Sequence, residues 1–369
     1  MKKLTLFLKE ALSIMVFASV FTVAGTSLIF FDSKKVLAAD SKVFFMLPNS
    51  TTIRFERRDA PYFVAAMEER MPGTEVIVQN GEGDAALQQK LVEDALTQGA
   101  NLIVYTSSDA NLAAGSLKAA ADAGVPVLLY EHDALGGQVE AGVFFNALSV
   151  GQAQGKRALE VINNINKDVI KMARVKGNQG EYGTKMYEQG QNEFLGPLFD
   201  SGKVVVVCEA FTPNWDPVKA QTFAEDCLTK NGGDVDVFLG MNDGTTGGSV
   251  AALISQGYDK GEKIVTGGQD ATIEAVQFVV QGWQDNTVFK DLNVQATYAA
   301  DVATAILKGE TLPHINGEMD NEFMIHPAAF LPVNNITIDN VSDVVNAGLY
   351  TWAEICKGAE ETPLCKSNL

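Results

Sequence analysis

The run VFFML at 43–47, followed by DAPYFVAAMEERM at 59–71 and EVIVQ at 75–79, decides the fold class. Five consecutive apolar residues predict a strand buried on both faces. Tyr62, Phe63, Ala66 and Met67 then fall at i, i+1, i+4 and i+5, the stripe of an amphipathic helix. EVIVQ is a second strand. The alternation continues outward: a helix over 85–97, a strand at 102–105, a helix over 110–123 and a strand at 125–130. Strand–helix alternation of this kind predicts a parallel sheet covered by helices on both faces.

After a break the pattern resumes. Residues 143–146 are a short apolar piece, 150–165 a helix and 178–183 a glycine-bearing loop. Runs at 204–208, 218–229, 235–239, 246–256, 263–266 and 273–281 repeat strand and helix. The chain therefore contains two α/β units of similar pattern, without a strict sequence repeat. Beyond the run at 287–290, a helix over 294–307 ends at Gly309, as a C-cap would. The pieces at 330–333 and 336–338 lack helical partners of their own. They read as strands completing sheets begun earlier, so the chain must cross between lobes more than once. Open α/β sheets bind ligands at the carboxyl ends of their strands, which places the expected site in an interlobe cleft.

At 369 residues, 46% hydrophobic and 20% charged with 11 prolines, the chain can bury a sizeable core. Global disorder and small disulfide scaffolds are excluded. Lys+Arg 28 against Asp+Glu 46 leaves −18, a field that repels phosphate backbones and anionic lipid, so no nucleic-acid partner is expected. The first 38 residues read as an export signal. Lys2, Lys3 and Lys9 form a basic start, 11–31 carry no charge, and Val36-Leu37-Ala38 offers small residues before a cut at Ala39. An uncharged run of this length could also anchor in a bilayer. The small-residue site and the lack of another long apolar run favour cleavage. With no cysteine near the cut, a lipid-modified N-terminus is not expected, which makes the product a free periplasmic protein. Five basic and two acidic residues leave with the signal, so the remaining 331 residues carry −21.

Four cysteines suit an oxidising compartment. Sequence alone leaves three pairings open, and locality favours Cys208 with Cys227 and Cys356 with Cys365. No C-x₂-C pair occurs and only His132, His314 and His326 are present, so no zinc or other metal site is implied. There is no P-loop and no G-x-S-x-G elbow. Gly244-Thr245-Thr246-Gly247-Gly248 reads as a tight strand-to-helix turn. No carboxylate pair stands out by spacing. Neither an enzyme nor a cofactor is indicated.

Polar residues gather where strands end. Arg54, Phe55, Glu56, Arg57 and Arg58 follow the first strand; Glu131, His132 and Asp133 follow the strand at 125–130. Asn242 and Asp243, Gln269 and Asp270, and Lys290 each follow a later strand, and Trp215 lies in the loop at 212–217. Planar Asp, Asn and Arg groups match sugar hydroxyls, and an aromatic ring matches the apolar face of a pyranose. Taken singly, Asp59, Asp109, Asp243 and Asp270 also read as helix N-caps. Taken together on one cleft, the set reads as a binding site.

At these residues the chain resembles the periplasmic sugar-binding proteins of ABC transporters, in the ribose/galactose/xylose branch and nearest the D-xylose-binding group. The resemblance runs from about residue 41 to the end. It rests on IRFERR (53–58), NWDP (214–217), MNDGTTGG (241–248), GGQDA (267–271), TVFKD (287–291) and FLPVNNITIDNV (330–341). It implies two Rossmann-like lobes joined by three hinge crossovers, an α/β fold of periplasmic binding protein type I. The expected first lobe is 39–145 plus 291–329, and the second 146–290 plus 330–369. It also implies sugar contacts from Arg57 in the first lobe and from Trp215, Asn242, Asp270 and Lys290 in the second. Arg58 stands near the position of the group's stacking tryptophan. Glu131 and His132 replace an Asp-Arg pair, and Glu181-Tyr182-Gly183 replaces an Asp-Asn-Asn run. These departures bear on hydroxyl recognition, so the pocket class is implied and xylose itself is not. No calcium loop is apparent. The expected function is monosaccharide capture (a xylose-like pentose or a hexose) and delivery to an ABC permease by a monomeric protein. A periplasmic chemotaxis or signal-molecule receptor, with a chemoreceptor as partner, is the alternative. A carbohydrate-processing enzyme ranks below both.

Overall fold

The computed structural model describes residues 41–369. The signal expected at 1–38 lies outside them. The described chain begins β1 (Lys42–Leu47), α1 (Ala60–Arg70), β2 (Glu75–Asn80), α2 (Ala85–Thr97), β3 (Leu102–Tyr105), α3 (Ala114–Asp122), β4 (Val127–Tyr130) and β5 (Ala141–Phe145). It continues α4 (Ala147–Asn163), β6 (Ile170–Lys176), α5 (Tyr182–Asp200), β7 (Val204–Phe211), α6 (Pro217–Lys230), β8 (Val237–Gly240), α7 (Asp243–Ser255), β9 (Ile264–Gly267), α8 (Ile273–Gln281) and β10 (Asn286–Phe289). It closes with α9 (Leu292–Lys308), β11 (Gly317–Asp320), β12 (Ile325–Leu331), β13 (Asn334–Thr337), α10 (Ser342–Asn346), α11 (Trp352–Ile355) and α12 (Pro363–Asn368).

The first lobe is a sheet ordered β11-β12-β5-β4-β3-β1-β2, parallel except for the edge strand β11. β1 shows why its sequence is apolar throughout. Val43, Phe45 and Leu47 face a core built with α1 and α9, while Phe44 and Met46 face an opposite core with Val92 and Leu117. All five are at most 1% exposed. At about 1.5–3 kcal/mol for each fully buried large side chain, this strand anchors both faces at once.

The second lobe is a parallel sheet ordered β7-β6-β8-β9, extended through a bridge between Gln269 and Val288 to the antiparallel pair β10-β13. Three crossovers join the lobes: β5 to α4, β10 to α9, and β12 to β13. The last comes later than the sequence suggested. Phe330 and Leu331 pair with Phe144 and Phe145, so the first lobe holds the chain through 331 and not 329.

Sequence reading missed β6 and α5. IKMARVK carries three basic residues, yet it is an interior strand of the second sheet, paired with β7 and β8. Arg174 and Lys176 are 5% exposed and are compensated by Glu188 and Glu209, with Lys176 Nζ 2.9 Å from Glu209 Oε1. α5 contains Gly190, Gly196 and Pro197, which oppose a helical reading. Gly190 has a packing reason. A Cβ there would strike the α4 backbone at Leu148 and Gln152, and one at Gly151 would strike Tyr187 on α5. These glycines let the two helices approach closely. Both disulfides pair as locality suggested: Cys208–Cys227 ties β7 to α6, and Cys356–Cys365 links the end of α11 to α12.

Candidate functional site

Loops at the carboxyl ends of the strands meet between the lobes and enclose about 20 Å³, room for roughly one water-sized group. The first lobe supplies Thr52, Arg54, Phe55, Glu131 and His132; the second supplies Tyr187, Trp215, Asn242, Gln269, Asp270 and Lys290. Arg54 is the hub. Its Nη2 and Nε donate to both Asp59 carboxylate oxygens, at 2.7 and 2.8 Å. Its Nη1 reaches Glu131 Oε1 and, across the cleft, Asp270 Oδ1, each at 3.0 Å. Lys290 answers from the other lobe, donating to Glu131 Oε1 at 2.5 Å and lying 3.4 Å from Asp270 Oδ1. Gln295 completes the wall by donating to Glu131 Oε2 at 2.9 Å while accepting from Arg54.

All these charges are 6–7% exposed or less, so each must be balanced locally. Burial alone would raise the Glu131 carboxyl. Arg54 and Lys290 outweigh it and hold the group well below the usual carboxylate range. Burial likewise opposes the charge on Lys290, and Glu131 more than restores it, lifting the ammonium above its ordinary value. Glu131 and Lys290 therefore stay charged at neutral pH. Two buried oxygens at this cavity, Thr52 Oγ1 and Gln269 Oε1, have no hydrogen-bond partner.

The backbone is held in uncommon conformations here. Among the described residues eight non-glycine positions have positive φ, and five border this cleft: Glu131 (60°), Asn214 (58°), Trp215 (55°), Asp270 (95°) and Ala271 (48°). Such conformations cost on the order of 1–3 kcal/mol each and cluster where side chains must be aimed. Trp215 is aimed this way. Its ring sits where a Cβ on Gly177 would be, 6.3 Å from the Tyr187 ring, and its Nε1 donates to Glu181 Oε2 at 2.8 Å. Phe55 stands edge-on to His132, with ring centroids 5.5 Å apart. His132 Nδ1 donates to the Ser107 carbonyl at 2.8 Å, which leaves Nε2 facing Glu181 Oε2 at 3.7 Å.

Of the residues expected from sequence, the structure brings Glu131, His132, Trp215, Asn242, Asp270 and Lys290 to this one cavity. Arg57 and Arg58 are elsewhere. The chain winds into a helical turn from Phe55 to Asp59, so Arg54 ahead of the turn faces inward while Arg57 within it is exposed. Arg58 turns to Tyr62 Oη at 3.1 Å and lies over the Tyr350 ring. The inward arginine is Arg54. The cap reading also divides. Asp59 and Asp270 cap no helix and pair with Arg54, whereas Asp109 caps a short turn through Asn111 N. Asn242 does both kinds of work. Its Oδ1 caps α7 through Thr245 N at 2.8 Å, which fixes the side chain and leaves its amide N–H groups to donate to a ligand. Gln269 belongs to the strand-end set read from sequence, and Glu181 to the loop read as a departure from the family pattern; Tyr187 and Gln295 escape sequence reading, because nothing local marks them.

Asp133 lies just outside the cluster. Burial, aided by Asp320 and Glu322, pushes its carboxyl up to about 6. A raised carboxyl destabilises the fold above its pKa and not below the unfolded value. Asp133→Asn should therefore raise the melting temperature at pH 8 and leave it unchanged near pH 4. Two pKa units correspond to about 3 kcal/mol, a gain of several degrees. Thermal melts across this range check it; equal melting at both pH values would contradict it.

Residues 43–311 match the model of the periplasmic binding protein domain. The chain is 29% identical over 306 residues to the D-xylose-binding periplasmic protein of Haemophilus influenzae, covering 82% of this chain and 89% of that one. It is 27% identical over 306 residues to the protein of that name from Escherichia coli, covering 82% and 90%. Among solved structures, an ABC transporter solute-binding protein from Clostridium phytofermentans with bound β-D-glucose superposes with a TM-score of 0.75. It is 24% identical and covers 85% of this chain and 100% of its own.

Proposed function

The chain belongs to the periplasmic binding protein domain family, and on that premise we propose that it captures a monosaccharide between its lobes and delivers it to an ABC permease. The observation that carries this reading is the set of polar groups converging from both lobes on one cavity that Phe55 and Trp215 also line. Asp270, Lys290, Arg54 and the Asn242 amide supply charged and neutral hydrogen bonds for ring hydroxyls. Thr52 Oγ1 and Gln269 Oε1 add two oxygens free to accept. A pyranose is far larger than about 20 Å³, so capture requires the lobes to part at the three crossovers and close again. On entry, sugar hydroxyls would replace part of the direct pairing of Asp270 with Arg54 and Lys290.

The two carboxylates at the centre of the cavity support binding over turnover. Glycoside hydrolysis needs one carboxyl kept protonated as an acid. Glu131 is instead held ionised, and Asp270 is paired to two cations. The ligand class extends to a xylose-like pentose or a hexose, matching the D-xylose and D-glucose named for the relatives. With the export signal removed, the protein would act free in the periplasm.

Titration calorimetry with D-xylose, D-glucose, D-galactose, D-ribose and L-arabinose tests the reading. At least one should bind with micromolar affinity or better. If none binds below millimolar concentration, the sugar reading fails.

A further inference from the structure

Beside the monosaccharide site lies a second, larger cavity of about 550 Å³, within the range of small-molecule sites. The two share Glu131, His132 and Tyr187 in their walls. A substituent leaving the sugar on that side would pass His132 and enter it directly. Its polar lining is one-sided. Asp133, Glu181, Glu318, Asp320 and Glu322 contribute carboxyl groups in addition to Glu131, against the single basic side chain of His132.

One of these carboxyls lacks what it needs. Asp133 is 4% exposed; its Oδ1 accepts from Ala134 N at 2.8 Å, and its Oδ2 has no partner. A buried carboxylate oxygen without a donor is costly, and a ligand can supply the donor. Burial and the like charges of Asp320 and Glu322 raise this carboxyl, which an incoming cation would reverse. The carboxyls are too dispersed for a metal ion: among the described residues no three of His, Cys, Asp or Glu gather closely enough to hold one. Charge spread along a cavity suits an ammonium group on an organic scaffold. Phe144, Tyr182 and Phe330 supply apolar faces for that scaffold.

We propose that this cavity is a subsite for an amino-bearing extension of the bound sugar, with Asp133 as its principal acceptor. The ligand class is an amino sugar or an amine-carrying glycoside. The proposal rests on the sugar reading of the adjoining site. A neutral hydroxyl could also donate here, but an ammonium brings three donors and the opposite charge.

The test is calorimetric titration of the exported protein with matched probes. These are the methyl and 2-aminoethyl glycosides of D-xylose and D-glucose in both anomers, and aminodeoxy glucoses differing in the carbon that bears the amine. At least one amine-bearing probe should bind about tenfold or more tightly than its neutral counterpart, the size of a charge-assisted contact. Asp133→Asn should cut that gain to about threefold or less while leaving free-sugar affinity unchanged. Glu322→Gln, at an exposed position, should reduce it partially. If free sugars bind and no amine-bearing probe gains, or the gain survives Asp133→Asn, the subsite is overturned and the sugar reading stands. If no free sugar binds either, both fall.

Discussion

Arg54→Met should abolish high-affinity sugar binding and lower stability together, whereas Arg57→Met should change neither. Arg54 is buried and donates to Asp59, Glu131, Asp270 and Gln295. Methionine fills much of its volume and leaves three carboxylates at the lobe interface short of a cation. Removing one partner from a buried ion pair costs about 3–5 kcal/mol of stability. Affinity should fall by roughly two orders of magnitude or more, because Glu131 and Asp270 lose the group that orients them. Arg57 is exposed, and its substitution should be silent in both measurements. Calorimetric titration beside thermal melts checks the pair. A folded Arg54→Met protein that binds within about threefold of wild type would contradict the assignment.

Trp215→Ala carries the second large effect. Trp215 is 5% exposed, and its Nε1 is the donor that satisfies the buried Glu181 carboxyl, itself pushed up by burial. Truncation removes the aromatic plate and leaves Glu181 without that donor. A Trp→Ala change in a packed site costs about 3–5 kcal/mol, and sugar affinity should drop by roughly two orders of magnitude through lost stacking area and lost closure. Trp215→Phe separates the two roles. It keeps a ring face and loses only the N–H, so the drop should be about tenfold. If Trp215→Ala lowers the melting temperature with affinity intact, Trp215 is a packing residue and not a ligand plate.

The parts of the fold that sequence made legible are those where periodicity and burial agree. β1 reads as apolar throughout because both of its faces meet cores. The late crossovers were legible because the pieces around 330 and 336 had no helices to pair with. What was not legible depended on partners far along the chain. β6 hides behind Arg174 and Lys176, whose charges are compensated by Glu188 on α5 and Glu209 on β7. α5 hides behind glycines that serve helix–helix contact.

The site divides along the same line. Asn242, Asp270 and Lys290 lie within three residues of the ends of β8, β9 and β10, and position alone places such residues at the cleft. Choosing among Arg54, Arg57 and Arg58 required knowing that a helical turn starts at Phe55, one residue after Arg54. Glu181 and Gln295 act through Trp215 and Glu131, contacts 34 and 164 residues apart that no local pattern announces.

The most direct measurement is a crystal structure of the protein with whichever of the five monosaccharides binds best. The sugar is expected between the lobes, with its hydroxyls on Asp270, Lys290, Arg54 and Asn242 and its apolar face on Trp215. A sugar bound outside this cleft, or one that leaves the pairing of Asp270 with Arg54 and Lys290 untouched, would contradict it.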